Sequence, residues 1–199
     1  MSGHVQRHLP QSFMDSSDTA KEICSSLLGA LKFAAQKHSR QRRKDLEATP
    51  YINHPIAVAE LLSRIGGIDD LPTLQAAILH DTIEDTDTSA QELEHIFGKE
   101  VCLLVQELTD DKRLPKEERK RLQVEHAPNL SRPAKLIKIS DKICNVSEIT
   151  PTQPAEWPLQ RKLGYLDWAE KVVSACRGCN PDLEEYFDDV VKTGRKSLA

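Results

Sequence analysis

Apolar side chains recur along this chain at steps of three and four rather than two. Ile23, Leu27, Leu28, Leu31 and Ala35 form the first such stripe, from about Ser17 to the basic run Arg40 to Lys44, and that period marks an amphipathic helix. A second helix is predicted to start at Pro55, whose fixed φ suits a first helical position, and to end at Gly66-Gly67. His54 then stands beside its N-terminus. A third runs from about Pro72 to Asp85 with Leu74, Ala77 and Ile78 inward, and a fourth opens with the capping box Ser89 and Glu92 and stops near Gly98. Further periodic stretches cover Val101 to Leu108, Pro115 to His126, Pro133 to about Val146, Leu159 to Cys176, and Pro181 to Val191 before Gly194.

No alternating run of about five or more residues is flanked by hairpin turns, and no internal repeat is visible. The pattern therefore predicts an all-α fold, a single bundle of about eight to ten helices. Its expected core includes Leu27, Leu31, Leu74, Ile78, Leu104, Ile139 and Leu163. Residues 1–17 are polar and aperiodic, which predicts a flexible N-terminal tail, and residues 18–199 form the domain.

A chain of 199 residues can bury a core without disulfides or a structural metal. A net charge of -4 argues against general affinity for nucleic acid. No run approaches the roughly eighteen apolar residues that cross a bilayer, and no secretory signal opens the chain, so a cytoplasmic location without membrane association is expected. The five cysteines do not form a disulfide framework and read as free thiols; Cys176 and Cys179, a lone CxxC, read as two thiols near a helix end.

Ala77-Ile78-Leu79 runs into His80-Asp81-Thr82-Ile83-Glu84-Asp85, an apolar helix that ends in a dense group of ionisable side chains. On a continuous helix His80 would stack with Glu84, and Asp81 with Asp85. Carboxylates so close repel one another unless a cation sits among them, and imidazole with carboxylate suits a divalent transition metal. His54 and Asp141, the latter interrupting an apolar helix, are the best candidates to complete the ligand set. Taken singly, either would be read as a cap, a hydrogen-bonded core residue or a solvated side chain.

Together, His54, His80-Asp81 and Asp141 follow the His, His-Asp, Asp order of the HD superfamily, which this chain resembles. Arg42-Arg43-Lys44, Tyr51-Ile52-Asn53-His54-Pro55, Leu79 to Thr86, Leu108-Thr109-Asp110, and Asp141-Lys142 with Asn145 resemble the small single-domain alarmone hydrolases. These are stand-alone metazoan relatives of the hydrolase half of Rel/SpoT proteins. The resemblance covers roughly residues 20–190. It implies a manganese ion held by His54, His80, Asp81 and Asp141, with Glu84 and Asp85 orienting and activating water, and hydrolysis of ppGpp to GDP and pyrophosphate. It further implies that Arg43 and Lys44 pack on the guanine, that Asn145 contacts the nucleoside, and that Arg161 and Tyr165 line the phosphate side. Lys112 and Lys116 are candidate phosphate contacts in an otherwise solvated charged segment.

One departure stands out. The long Rel proteins carry an Arg and a Thr two and three positions after the Asn, where this chain has Ser147 and Glu148. Two alternatives stay open: a phosphatase on another nucleotide, such as the 2′-phosphate of NADPH, and an HD module that binds a nucleotide without turnover. The intact Glu84-Asp85 pair speaks against the second.

Overall fold

Two stretches of this sequence are buried on nearly every side and become central helices, one of them almost wholly apolar and the other carrying Lys138, Asp141 and Lys142 within its apolar run. The computed structural model describes residues 16–149 and 157–199. Among these, the helices are α1 (Ser16–Lys37), α2 (Asn53–Arg64), α3 (Leu71–Leu79), α4 (Thr82–Asp85), α5 (Ala90–Phe97), α6 (Lys99–Leu108), α7 (Lys116–His126), α8 (Arg132–Ser147), α9 (Leu159–Cys176) and α10 (Pro181–Leu198), with a 3-10 turn at Ala127–Asn129. The described residues hold no strand, only an isolated bridge between Arg42 and Pro50. The all-α bundle is as expected. Of the tail expected over residues 1–17, residues 1–15 lie outside the described residues, whereas Ser16 and Ser17 already belong to α1.

In α3 every residue from Thr73 to Leu79 is buried, and in α8 nearly every residue from Leu136 to Cys144 is. A helix apolar on nearly every side, as α3 is, belongs inside a bundle, and the buried charges of α8 are paired or hydrogen-bonded there, Lys142 with Asp141 and Lys138 with the Leu108 carbonyl. Accordingly α3 packs against α1, α2, α6 and α8, and α8 against α2, α3, α6, α9 and α10. The buried face of α2 is His54, Pro55, Val58, Leu61 and Leu62, one helical stripe whose first member is an imidazole. That spacing turns His54 toward α3 and α8 rather than toward water.

Three expectations are corrected. The helix starting at Pro55 begins instead at Asn53, so His54 lies in its first turn. The single helix from Pro72 to Asp85 is interrupted: α3 ends at Leu79, and α4 restarts at Thr82 with Asp81 as its N-cap. Side chains take over the freed carbonyls at the break, His80 Nδ1 on Ala77 O at 2.7 Å and Thr82 Oγ1 on Leu79 O at 2.6 Å, which meets the need of a helix C-terminus for donors. The stop before Gly194 is also overrun. α10 continues to Leu198 because Gly194, buried, meets Leu166 of α9 there, and packing outweighs the roughly 1 kcal/mol that glycine costs inside a helix.

Leu74, Ile78, Leu104 and Ile139 are buried as expected, and Leu27 and Leu31 pack on the core from its edge. Leu163 is only half-buried, and Leu166 is the fully buried leucine of α9. Leu166→Ala is therefore expected to lower unfolding stability by about 2–5 kcal/mol, and Leu163→Ala by about 1 kcal/mol. Urea denaturation of the two variants checks the order; equal losses would contradict it.

Candidate active site

Adjacent residues on a straight helix point about 100° apart, so His80 and Asp81 could not face one spot if α3 ran on unbroken. The turn between α3 and α4 brings them together, with His80 Nε2 3.0 Å from Asp81 Oδ2. His54, from α2, places Nε2 3.1 Å from Asp141 Oδ1 of α8 and 4.0 Å from Asp81 Oδ2. His80 Nε2 and Asp141 Oδ1 are likewise 4.0 Å apart. Nitrogens and oxygens thus alternate around a small gap. Ligand atoms of His54, His80 and Asp81 all lie within 4.8 Å of one another.

The gap fits a divalent ion. His80 Nδ1 is committed to the Ala77 carbonyl, which fixes the tautomer with a lone pair on Nε2. That Nε2 is buried without a hydrogen-bond partner; its approach to Asp81 is a charge contact without hydrogen-bond geometry. The carboxylates are held from outside. Tyr51 donates its hydroxyl to Asp81 Oδ2, Lys142 Nζ donates to Asp141 Oδ2 at 2.8 Å, and Asn145 Nδ2 to Asp141 Oδ1 at 2.6 Å.

Charge and burial oppose each other here. Burial lowers the pKa of His80, but the Asp81 and Asp141 carboxylates outweigh it and raise it to about 9. Burial would raise Asp81 and Asp141, yet His80 holds the first below the carboxylate range, and Lys142 with His54 the second. Without an ion, a proton on His80 supplies the missing positive charge, and a metal would take that place.

Glu84 and Asp85, on α4, line the same cavity of about 190 Å³ as His54, His80, Asp81 and Asp141. The stacking expected from a continuous helix is replaced by this convergence. Burial raises the pKa of Glu84, helped by nearby Asp110, Asp81 and Asp85, although the Asp110 backbone N–H opposes it. That N–H donates to Glu84 Oε2 at 3.1 Å, and Arg119 Nη1 lies 3.4 Å from Oε1. Asp85 pairs with Lys112, so Lys112 serves the acid pair and Lys116 the neighbouring cavity.

Two further cavities open from this one. A basic one of about 280 Å³ shares Glu84 and Gln123 with it and is lined by Lys44, Lys116, Arg119, Lys120, Arg161 and Tyr165 among others. An aromatic one of about 200 Å³ shares Tyr51 and Asn145 with the metal cavity and is walled by Arg43, Glu148, Trp157 and Tyr165. The basic loop is tied down, by Arg43 N on Thr49 O at 2.8 Å, Tyr51 N on Gln41 O at 3.1 Å and Gln41 Nε2 on Asp85 O at 2.5 Å. Arg161 stacks over Trp157 at 4.1 Å, and Tyr165 sits between Trp157 and Trp168.

Apart from Lys112, every residue assigned a role from the sequence thus lines one continuous cleft. Tyr51, Gln123, Arg119, Trp157 and Trp168 also line it without having been assigned one. Tyr51 alone left a signal, its place three residues before His54 in the quoted motif. Cys176 ends α9 and Cys179 follows it, both free thiols away from the cleft.

Residues 30–163 match the family model described as HD domain. A Xenopus tropicalis protein named guanosine-3′,5′-bis(diphosphate) 3′-pyrophosphohydrolase MESH1 is 54% identical over 162 residues, 81% of this chain and 90% of the relative. Its Homo sapiens namesake is 52% identical over 168 residues, 84% and 94% of the two chains. A solved structure described as a metazoan ortholog of SpoT that hydrolyzes ppGpp superposes with a TM-score of 0.83 at 45% identity, covering 88% of this chain and 97% of its own.

Tyr51 lines the central cavity and donates its hydroxyl to Asp81 Oδ2, the oxygen that faces both imidazoles. If Asp81 holds a divalent ion, Tyr51→Phe is expected to weaken binding of that ion, probed with Mn2+, by about 10- to 100-fold, the usual effect of losing a supporting hydrogen bond to a metal ligand, with the fold intact. Calorimetric titration with Mn2+ checks this, and an unchanged affinity would contradict it.

Proposed function

Because the chain belongs to the HD-domain family and, within it, to the family of the MESH1 guanosine-3′,5′-bis(diphosphate) 3′-pyrophosphohydrolases, we propose that it hydrolyses ppGpp to GDP and pyrophosphate at a divalent-metal centre of His54, His80, Asp81 and Asp141. The observation that carries this reading is that the central cavity adjoins two others, one through Glu84 and Gln123 and one through Tyr51 and Asn145, and that these two share Lys44, Trp157 and Tyr165. A nucleoside carrying two diphosphates has three arms to match. Its base suits the aromatic cavity, its 5′-diphosphate the basic one, and its 3′-diphosphate the centre between them.

Manganese suits the mixed imidazole and carboxylate donors. When bound, such an ion supplies Lewis-acid polarisation of a phosphoryl oxygen and positive charge for the transition state. Glu84, raised in pKa by burial, takes a proton from the attacking water, and Asp85, fixed by Lys112, orients that water. The water oxygen joins the first phosphorus of the 3′-diphosphate, the bond from that phosphorus to O3′ breaks, and O3′ leaves with a proton. Lys44, Lys116, Arg119 and Arg161 hold the anionic arm, and Arg43 and Asn145 the nucleoside. No helix among the described residues is long and apolar enough to cross a membrane; the free thiols of the five cysteines support a reducing, cytoplasmic setting.

Incubating the manganese-loaded protein with ppGpp and, separately, NADPH tests the substrate. Pyrophosphate release from ppGpp is expected; orthophosphate from NADPH with none of the former product would overturn the reading. Glu84→Ala with Asp85→Ala is expected to keep the metal while turnover falls by about 100- to 10,000-fold, whereas Asp81→Ala loses both. Metal content by mass spectrometry beside hydrolysis rates separates the two roles. A double variant as active as its parent, or as metal-depleted as Asp81→Ala, would contradict the assignment.

A further inference from the structure

The aromatic cavity contains a carboxylate that catalysis does not use. Glu148, the C-cap of α8, stands one helical turn after Asn145 and lines that cavity with Arg43, Tyr51, Trp157 and Tyr165. Arg43 Nη2 donates both to Asn145 Oδ1, at 3.1 Å, and to Glu148 Oε2, which fixes the carboxylate against the wall. Its other oxygen, Oε1, has no hydrogen-bond partner among the described residues. Glu148 is half-exposed, so its acceptors face the space the base would fill.

We propose that Glu148 is a specificity-determining residue that selects guanine by accepting hydrogen bonds from the N1–H and 2-amino group of the base. An ionised carboxylate only accepts. Guanine offers adjacent donors on that edge, so the two match. Adenine presents a bare ring nitrogen at N1, whose lone pair would face the carboxylate, and lacks the 2-amino group. A site built to hydrogen-bond a donor discriminates against the analogue lacking it, because its own polar group is then left unpaired. The guanidinium of Arg43, 5.6 Å from the Tyr51 ring centroid, meanwhile keeps its place beside the base through the same ion pair. Glu148 thus does two things at once: it anchors Arg43 and it reads the base edge.

The inference rests on the reading of this cavity as the base site, and the test separates the two. Affinities for GDP, IDP and ADP are measured by calorimetry in the parent and in Glu148→Gln, with pyrophosphate release from ppGpp assayed in parallel. The amide introduced by Glu148→Gln would still accept from Arg43 through its oxygen but would present N–H donors, which suit adenine N1 and clash with guanine N1–H. The parent is expected to favour GDP over ADP by about tenfold or more, the range of a hydrogen bond to a charged group, with IDP between them. Glu148→Gln should abolish or invert that order. A merely structural role, through Arg43, would weaken all three nucleotides alike and leave their ratios unchanged, and that result would overturn the proposal. Lost base preference in the variant beside no pyrophosphate release from the parent would sustain Glu148 and sink the hydrolase reading; pyrophosphate release with unchanged ratios would do the reverse.

Discussion

Two partly buried carboxylates beside two buried imidazoles set the terms for the rest of this molecule. Taking charges out of water is expensive unless each is paired and hydrogen-bonded, and Asp81 and Asp141 are supported on every side. Tyr51, Lys142 and Asn145 donate to them, and the imidazoles of His54 and His80 face them across the gap. Such an arrangement needs rigid supports. It has them in α3 and α8, the helices with the most continuous burial, and in the first turn of α2. The break after Leu79 belongs to the same logic, because only a change of direction lets neighbouring residues aim at one point.

The acid pair and the cleft grow outward from that centre. α4 is a single turn between the end of α3 and the cap of α5, so Glu84 and Asp85 are carried by the same segment that positions Asp81. Glu84 is steadied by the Asp110 backbone after α6 and approached by Arg119 of α7. Away from the centre the cleft mixes cations with aromatic rings: Lys116, Arg119, Lys120 and Arg161 stand beside Trp168 in one cavity, Arg42, Arg43 and Glu148 beside Tyr51 in the other, and Lys44, Trp157 and Tyr165 line both.

Much of this was legible in the sequence, for identifiable reasons. The limits of α9 and the cap of α5 coincide with the periodic pattern and its punctuation because those signals are local. The ionisable residues that the structure brings together at the centre stood out because a charged group inside an apolar stripe is costly to bury and persists only where a partner or an ion offsets that cost. What escaped depends on contacts between distant segments. The interruption at His80 and Asp81 arises from side chains bonding to carbonyls, which hydrophobic periodicity does not register. Leu163 and Leu166 are equally apolar, and only the packing of α10 on α9 decides which is buried. Gly194 looked like a terminator and is a contact point. Trp157, Trp168 and Gln123 carry no motif; Gln123 of α7 and Trp168 of α9 enter the cleft where those helices pack, and Trp157 from the segment just before α9.

The proposed hydrolase reading depends on one cation completing the ring of His54, His80, Asp81 and Asp141. Anomalous scattering from crystals of the protein grown with Mn2+, recorded on both sides of the manganese absorption edge, tests this directly. One strong anomalous peak is expected in the gap, within bonding distance of both imidazole Nε2 atoms and of a carboxylate oxygen from each aspartate. A gap without a peak at saturating Mn2+, or a peak held by other side chains, would contradict it.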